Sequence, residues 1–259
     1  MLKLLFLQCI LMATIHTVGV AQNNRITTYE KIGWYGCLTS IKLNNEFGIH
    51  AEYQWRRDNY ITDWLQGLLR VGVNYHATPK VLFRVGYALA ETYPYGEIPI
   101  NALGRDFTEH RIFEMAQINH NESILDITHR FMLEQRFVGR YSSASVAQED
   151  EFPLLNRVRY MLRLQMPLAG NAIQDNTPYL AAFDEVMIGF GENVNANIFD
   201  QNRIGVVAGY RFIKSFRIEA GYINQIVQFG RQLNGKNIFQ NNSGVILSAY
   251  VNIDLSKPE

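Results

Sequence analysis

The side chains best equipped for chemistry in this sequence are arginines and glutamates set at alternate positions of apolar stretches. In "RVRYMLRLQM" (157–166), Arg157, Arg159 and Arg163 stand among Val158, Tyr160, Leu162 and Leu164. Arg130, Glu134 and Arg136 keep the same even spacing upstream, and Glu185 and Arg203 stand in comparable surroundings downstream. A guanidinium is a planar fork of donors that grips a carboxylate through two parallel bonds. The eight residues Arg130, Glu134, Arg136, Arg157, Arg159, Arg163, Glu185 and Arg203 therefore form a candidate binding cluster with two uses. They can satisfy one another across neighbouring strands and fix the register. Alternatively, they can leave a basic surface that attracts small anions.

Nucleophilic chemistry is harder to assemble. A hydrolase needs a serine beside a histidine, with a third group to orient the ring. His110 and His129 share the apolar phase of their stretches. Pairing about a turn at 119–123 sets His129 opposite Phe113 and His110 opposite Met132, with no serine there. Ser142, Ser143 and Ser145 would reach them only if a long loop folded back. No catalytic residue is assigned. "NHNES" (119–123), with His120 and Glu122, reads as a solvated turn rather than a metal site. No phosphate-cradling glycine loop or dinucleotide fingerprint occurs, so no cofactor is expected. Lys+Arg and Asp+Glu both number 24, which gives no support for nucleic-acid binding.

The elements that must position the arginines show a period of two. Leu155, Arg157, Arg159, Met161, Arg163 and Gln165 share one face; Val158, Tyr160, Leu162, Leu164 and Met166 share the other. In 123–138, Thr128, Arg130, Glu134 and Arg136 oppose Ile127, Phe131, Leu133 and Phe137, with His129 and Gln135 as exceptions. In 64–76, Gln66, Arg70, Asn74 and His76 oppose Leu65, Leu69, Val71, Val73 and Tyr75. Segments 47–56, 202–212 and 244–255 alternate likewise. A soluble sandwich can alternate too. These segments, however, often run 12–16 residues, against about 5–6 in soluble sheets. Their polar faces favour Arg over Lys, Ser and Thr, and their connections alternate between short and long, as in outer-membrane barrels. With the apolar faces towards lipid, the interior would hold Arg56, Arg70, Arg84, Arg211 and Arg217 beside the six arginines of the cluster. The acids placed there are Glu52, Glu134, Glu185 and Glu219. Asp184 would face lipid, which calls for a bulge or a protein contact.

The opening stretch "MLKLLFLQCILMATIHTVGVA" has an early Lys, an apolar run and small residues ending at Ala21, the layout of a cleaved signal peptide. Residues 1–21 are expected to leave, and 22–259 to form a single domain whose one thiol is Cys37. With no later apolar run of roughly 20 residues, only a closed barrel could span a membrane. Eleven segments are bounded by turn signals: 33–43, 47–57, 61–76, 80–93, 109–119, 123–138, 154–167, 179–190, 202–212, 216–229 and 243–255. Because bacterial single-chain barrels have even counts, 24–32 is expected to supply another strand. The predicted fold is an all-β, transmembrane, antiparallel up-and-down barrel of about 12 strands, with ten as the alternative count. Aromatic residues near strand ends, including Trp55, Tyr93 and Phe229 at the long loops and Tyr75, Tyr179 and Phe212 at the short turns, match two interfacial girdles. The loop 93–107 can fold inward as a constriction or simply cover the rim, the second being favoured, and the lumen is expected to be basic and partly plugged.

Six segments in order, "EHRIFEMAQI" (109–118), "THRFMLEQRF" (128–137), "NRVRYMLRLQMPL" (156–168), "DEVMIGFG" (184–191), "FDQNRIGVVAGY" (199–210) and "EAGYINQ" (219–225), carry a family likeness. The chain resembles a bacterial outer-membrane β-barrel family known as domain-of-unknown-function family 2490. The resemblance implies an exported barrel and brings no assigned catalytic residues. The expected location is the bacterial outer membrane. Its lipid is the expected surround, the barrel-insertion machinery the partner during biogenesis, and small anions the ligands. The leading expectation is a structural or interaction role, or a narrow anion-preferring pore, with a phospholipase-like lipid hydrolase as the alternative.

Overall fold

A computed structural model describes residues 24–194 and 197–256. The expected signal peptide lies outside the described residues. Among the described residues eleven strands close into one barrel: β1 (Arg25–Lys42), β2 (Phe47–Asp58), β3 (Asp63–Thr78), β4 (Val81–Thr92), β5 (Phe107–Glu122), β6 (Leu125–Val138), β7 (Leu154–Pro167), β8 (Thr177–Phe190), β9 (Phe199–Ile213), β10 (Phe216–Leu233) and β11 (Lys236–Asp254). Neighbours in sequence pair antiparallel around the wall. The ring is completed by β1 against β11, which run parallel.

The count is therefore odd, one short of the twelve favoured from the sequence. Residues 25–32 are not a separate strand. They are the first part of β1, paired from Arg25↔Asn237 to Ile32↔Gly244 on β11 before β2 joins at Ile32↔Asp58. The cause lies at the β10–β11 connection, expected as a long loop over 230–243. It is instead a two-residue Asn234–Gly235 turn with both φ values positive, 53° and 71°. Asn-Gly suits the type I′ turn, whose twist matches the flanking strands. The tight turn lets β11 start at Lys236, and its exposed edge then accepts residues 25–31. At the seam, Gly244 has no room for a Cβ, which would fall 1.7 Å from the Ile32 carbonyl oxygen.

Alternation places the side chains as expected along most strands. On β7, Arg157 and Arg159 are buried inside while Val158 and Leu164 are exposed on the outer wall. The outer surface is apolar over its middle, with Val71, Val73, Val85, Phe131, Val206 and Val245 among its exposed residues. Rings cluster at both ends. Tyr35, Trp55, Trp64 and Tyr93 form a contiguous run on the long-loop side. Phe47–Tyr75 and Tyr210–Phe212–Phe216 lie on the short-turn side.

Three residues differ from this expectation. Leu65 sits at a bulge between Arg56 and Arg57 and is buried inside with Ile32 and Trp34. Phe229, close to another bulge on β10, packs inward with Val227 and Ile238. Tyr179 falls in the inward phase of β8, where its hydroxyl donates to Glu219 at 2.7 Å. Asp184 does face outward, and a protein contact accommodates it: Asn202 Nδ2 donates to its carboxylate at 2.6 Å.

The 93–106 connection does not merely cover the rim. It folds into the barrel mouth, burying Tyr95 among Trp34, Leu65 and Ile223 and packing Ile98 and Ile100 against Phe229. Arg231 holds it there by donating to the carbonyls of Pro99 (2.6 Å) and Ile100 (3.2 Å).

Candidate functional site

The inward phases of β5 to β9 bring alternating arginines and acids together in the barrel interior. Arg157, 1% exposed, lies at the centre. It donates through Nε (2.8 Å) and Nη2 (2.5 Å) to Glu134 on β6, and through Nη1 to Asp200 on β9. Arg159 bridges the other Glu134 oxygen (2.8 Å) to Glu185 on β8 (2.6 Å). Glu185 also receives Arg130 at 2.8 Å and lies 3.6 Å from Arg203. On the far side Arg136 joins Asp200 (3.3 Å) to Glu109, which Arg111 also grips at 2.7 Å. The result is one unbroken chain of ion pairs that leaves the wall. Arg136 on β6 meets Asp200 on β9, three strands away around the ring.

A carboxylate so placed meets guanidinium N–H groups where water would otherwise solvate it. Each ion of this chain is therefore paired and hydrogen-bonded, the condition under which charge is tolerated in an interior. A second, smaller cluster lies nearer the short turns. There Glu219 accepts from Arg163 (2.6 Å), Tyr179 (2.7 Å) and Tyr250 (3.1 Å). On the long-loop side of the network Arg56 and Arg203 both lie over the Trp34 ring, at 4.0 and 4.8 Å from its centroid. Arg56 also donates to Gln66 at 2.5 Å and to Gln54.

Seven of the eight residues proposed from sequence thus meet in one network: Arg130, Glu134, Arg136, Arg157, Arg159, Glu185 and Arg203. Arg163 belongs to the Glu219 cluster instead. Sequence reasoning missed Glu109, Arg111 and Asp200. Glu109 and Arg111 carry the same alternation. However, their face continues into Phe113 and Met115 while Glu114 lies outside, so polarity does not reveal the phase. Asp200 falls in a stretch read as loop, whereas β9 begins at Phe199.

Two cavities flank the network. One, of 410 Å³, lies beneath the inserted 93–106 connection and is bounded by Ile100, Arg111, Arg136 and Phe229. The other, of 440 Å³, lies towards the short turns between Arg84, Arg130, Arg217 and Tyr250. Arg56 and Arg203 border both.

His110 and His129 lie on the outer wall, whereas His50 is buried inside beside Glu52. The β5–β6 turn is centred on Ser123 and Ile124, so His110 faces Phe137 and His129 faces Ile118, not Met132 and Phe113. His110 Nδ1 meets the Tyr87 hydroxyl (2.5 Å), and His129 Nδ1 meets that of Tyr160 (2.9 Å). His129 also stacks on His120 at 5.4 Å. Among the described residues neither His110 nor His129 has a serine partner, while Ser142 of the 139–153 loop donates to Asp150.

Comparison with curated proteins gives no match. A family model described as "protein of unknown function", DUF2490, matches residues 32–234. That span runs from the closing seam through all of the charged interior, and the chain belongs to this family.

Proposed function

We propose that the chain is an exported outer-membrane barrel whose interior is closed, and that its role is structural or binding rather than free solute passage. The apolar outer wall and the two aromatic runs support insertion in a bilayer. A closed barrel can cross lipid because no backbone edge is left unpaired. Lipid is then the surround of the outer wall, and the barrel-insertion machinery its partner during biogenesis.

The observation that carries the closed reading is Arg157, held at the centre by Glu134 and Asp200 from different strands. The inserted 93–106 connection adds a second barrier at the long-loop mouth. In a barrel of this size side chains fill much of the interior, and a paired network has no mobile charge to yield to a passing ion. The test is single-channel recording in planar bilayers. The purified chain is expected to insert without steady conductance. An ohmic, anion-selective current would overturn the closed reading and restore the narrow anion pore, which the surplus of interior arginine over acid favours.

A further inference from the structure

The cavity on the short-turn side is electrostatically unbalanced. Eight arginines line it against three glutamates, Glu52, Glu185 and Glu219. Those three are already engaged: Glu52 with Arg70, Glu219 with Arg163, and Glu185 with Arg130, Arg159 and Arg203. Among the described residues Arg84 and Arg217 form no ion pair with a carboxylate. Arg84 gives its Nε to Asn74 at 2.6 Å, and its terminal nitrogens have no acceptor among the described residues. Arg217 lies over the Tyr250 ring at 4.3 Å, and its Nε is buried without an acceptor. The Nε atoms of Arg70 and Arg203, side chains in residues only 6% and 7% exposed, are likewise without acceptors. Enclosed cations without counter-charge are strongly unfavourable, so the cavity is built for an anion that supplies it.

We propose that this cavity binds a small phosphate monoester, gripped by Arg84 and Arg217. The proposal rests on the closed-barrel reading, which makes the cavity a one-ended pocket entered from the short-turn side. A phosphoryl group brings close to two negative charges and three acceptor oxygens, which guanidinium groups match well. Arg84 on β4 and Arg217 on β10 stand on opposite arcs of the wall, so the charge is met from both sides. The 440 Å³ volume falls in the range of roughly 300–1,000 Å³ typical of small-molecule pockets, larger than a bare ion requires. Gln117, Asn119, Thr128 and Ser248, which line the same cavity, offer neutral donors and acceptors for the hydroxyl groups of the ester's carrier.

The test uses the full mature chain in an uncharged detergent. It is titrated with sodium phosphate, glycerol 3-phosphate and short-chain phosphatidic acid, at ionic strength matched with sodium chloride. Saturable heat and a raised unfolding temperature are expected with glycerol 3-phosphate, and more weakly with phosphate. Saturation by phosphatidic acid alone would keep the phosphate site and identify a lipid headgroup as its source. The double substitution Arg84→Gln with Arg217→Gln should weaken binding at least about tenfold, given the strength of charge-assisted bonds. Its unfolding temperature without ligand should stay level or rise, because neither residue forms an ion pair among the described residues. If the pair does not fold, Arg217→Gln alone provides the comparison. Absence of saturable binding, equal binding by the double variant, or an equal response to chloride overturns the proposal. Failure here without conductance would leave the closed barrel standing. Conductance with intact phosphate binding would remove the closed barrel and keep the site.

Discussion

Glu134→Gln is the most direct test of the ion-pair network. Glu134 is 0% exposed and accepts two bonds from Arg157 and one from Arg159, at 2.5–2.8 Å. The substitution keeps the side-chain volume, removes the charge between two guanidinium groups, and turns an amide NH₂ towards one of them. Breaking a buried pair by removing one partner costs about 3–5 kcal/mol. Arg157 keeps Asp200 and Arg159 keeps Glu185, which sets the expectation at the lower end. A loss of about 3 kcal/mol corresponds to a roughly 150-fold shift of the unfolding equilibrium. The assay is urea unfolding from lipid vesicles followed by tryptophan fluorescence, with heat-dependent gel mobility as a second probe. A variant within about 0.5 kcal/mol of the parent, the range of inert surface changes, would refute the reasoning. The network would then be incidental to the fold.

Other consequences are simpler to check. Gly235→Ala places a Cβ at φ 71° with nothing within 4 Å, so only backbone strain of about 1–2 kcal/mol should appear in the same unfolding assay. Arg25 pairs beside the Asn234–Gly235 turn, at the end of the barrel opposite Asp254. If the long loops face outward, an epitope placed before Asn24 should be labelled on intact cells and one at the C-terminus should not; the reverse pattern would invert the topology. Cys37, on the outer face of β1, should resist charged maleimides in vesicles and react once the protein is unfolded in detergent. Rapid labelling in vesicles would contradict a lipid-facing wall.

The period-two pattern made the barrel legible from sequence, because a strand with one apolar and one charged face has few other uses. The central arginines were legible for the same reason: Arg157 and Arg159 stand two apart in hydrocarbon and can only share the polar side. What alternation could not supply was the phase of strands whose inner face mixes types, as β5 does with Glu109, Arg111, Phe113 and Met115. Nor could it anticipate bulges, which carried Leu65 and Phe229 inside. The histidine register failed because the β5–β6 turn lies closer to Leu125 than the polar run "NHNES" implies; β5 continues through that run to Glu122. The odd strand number rests on a two-residue turn at Asn234–Gly235, a strong hairpin signal that lay inside a stretch read as loop.

The parallel seam makes closure a check on chain length. Residues 25–31 pair with β11 before β2 joins β1 at Ile32, so the first strand written is templated by the last. Every antiparallel hairpin can form between sequence neighbours, but the β1–β11 contact joins strands more than 190 residues apart and carries the largest loop-closure entropy among these strand pairs. Until β11 arrives, β1 and β10 each present a bare edge, the feature most prone to mispairing with another chain. A product terminated before Lys236 lacks the strand that both β1 and β10 pair with. The arrival of β11 covers both edges, and the first residues of β1 are fixed in place by the same event.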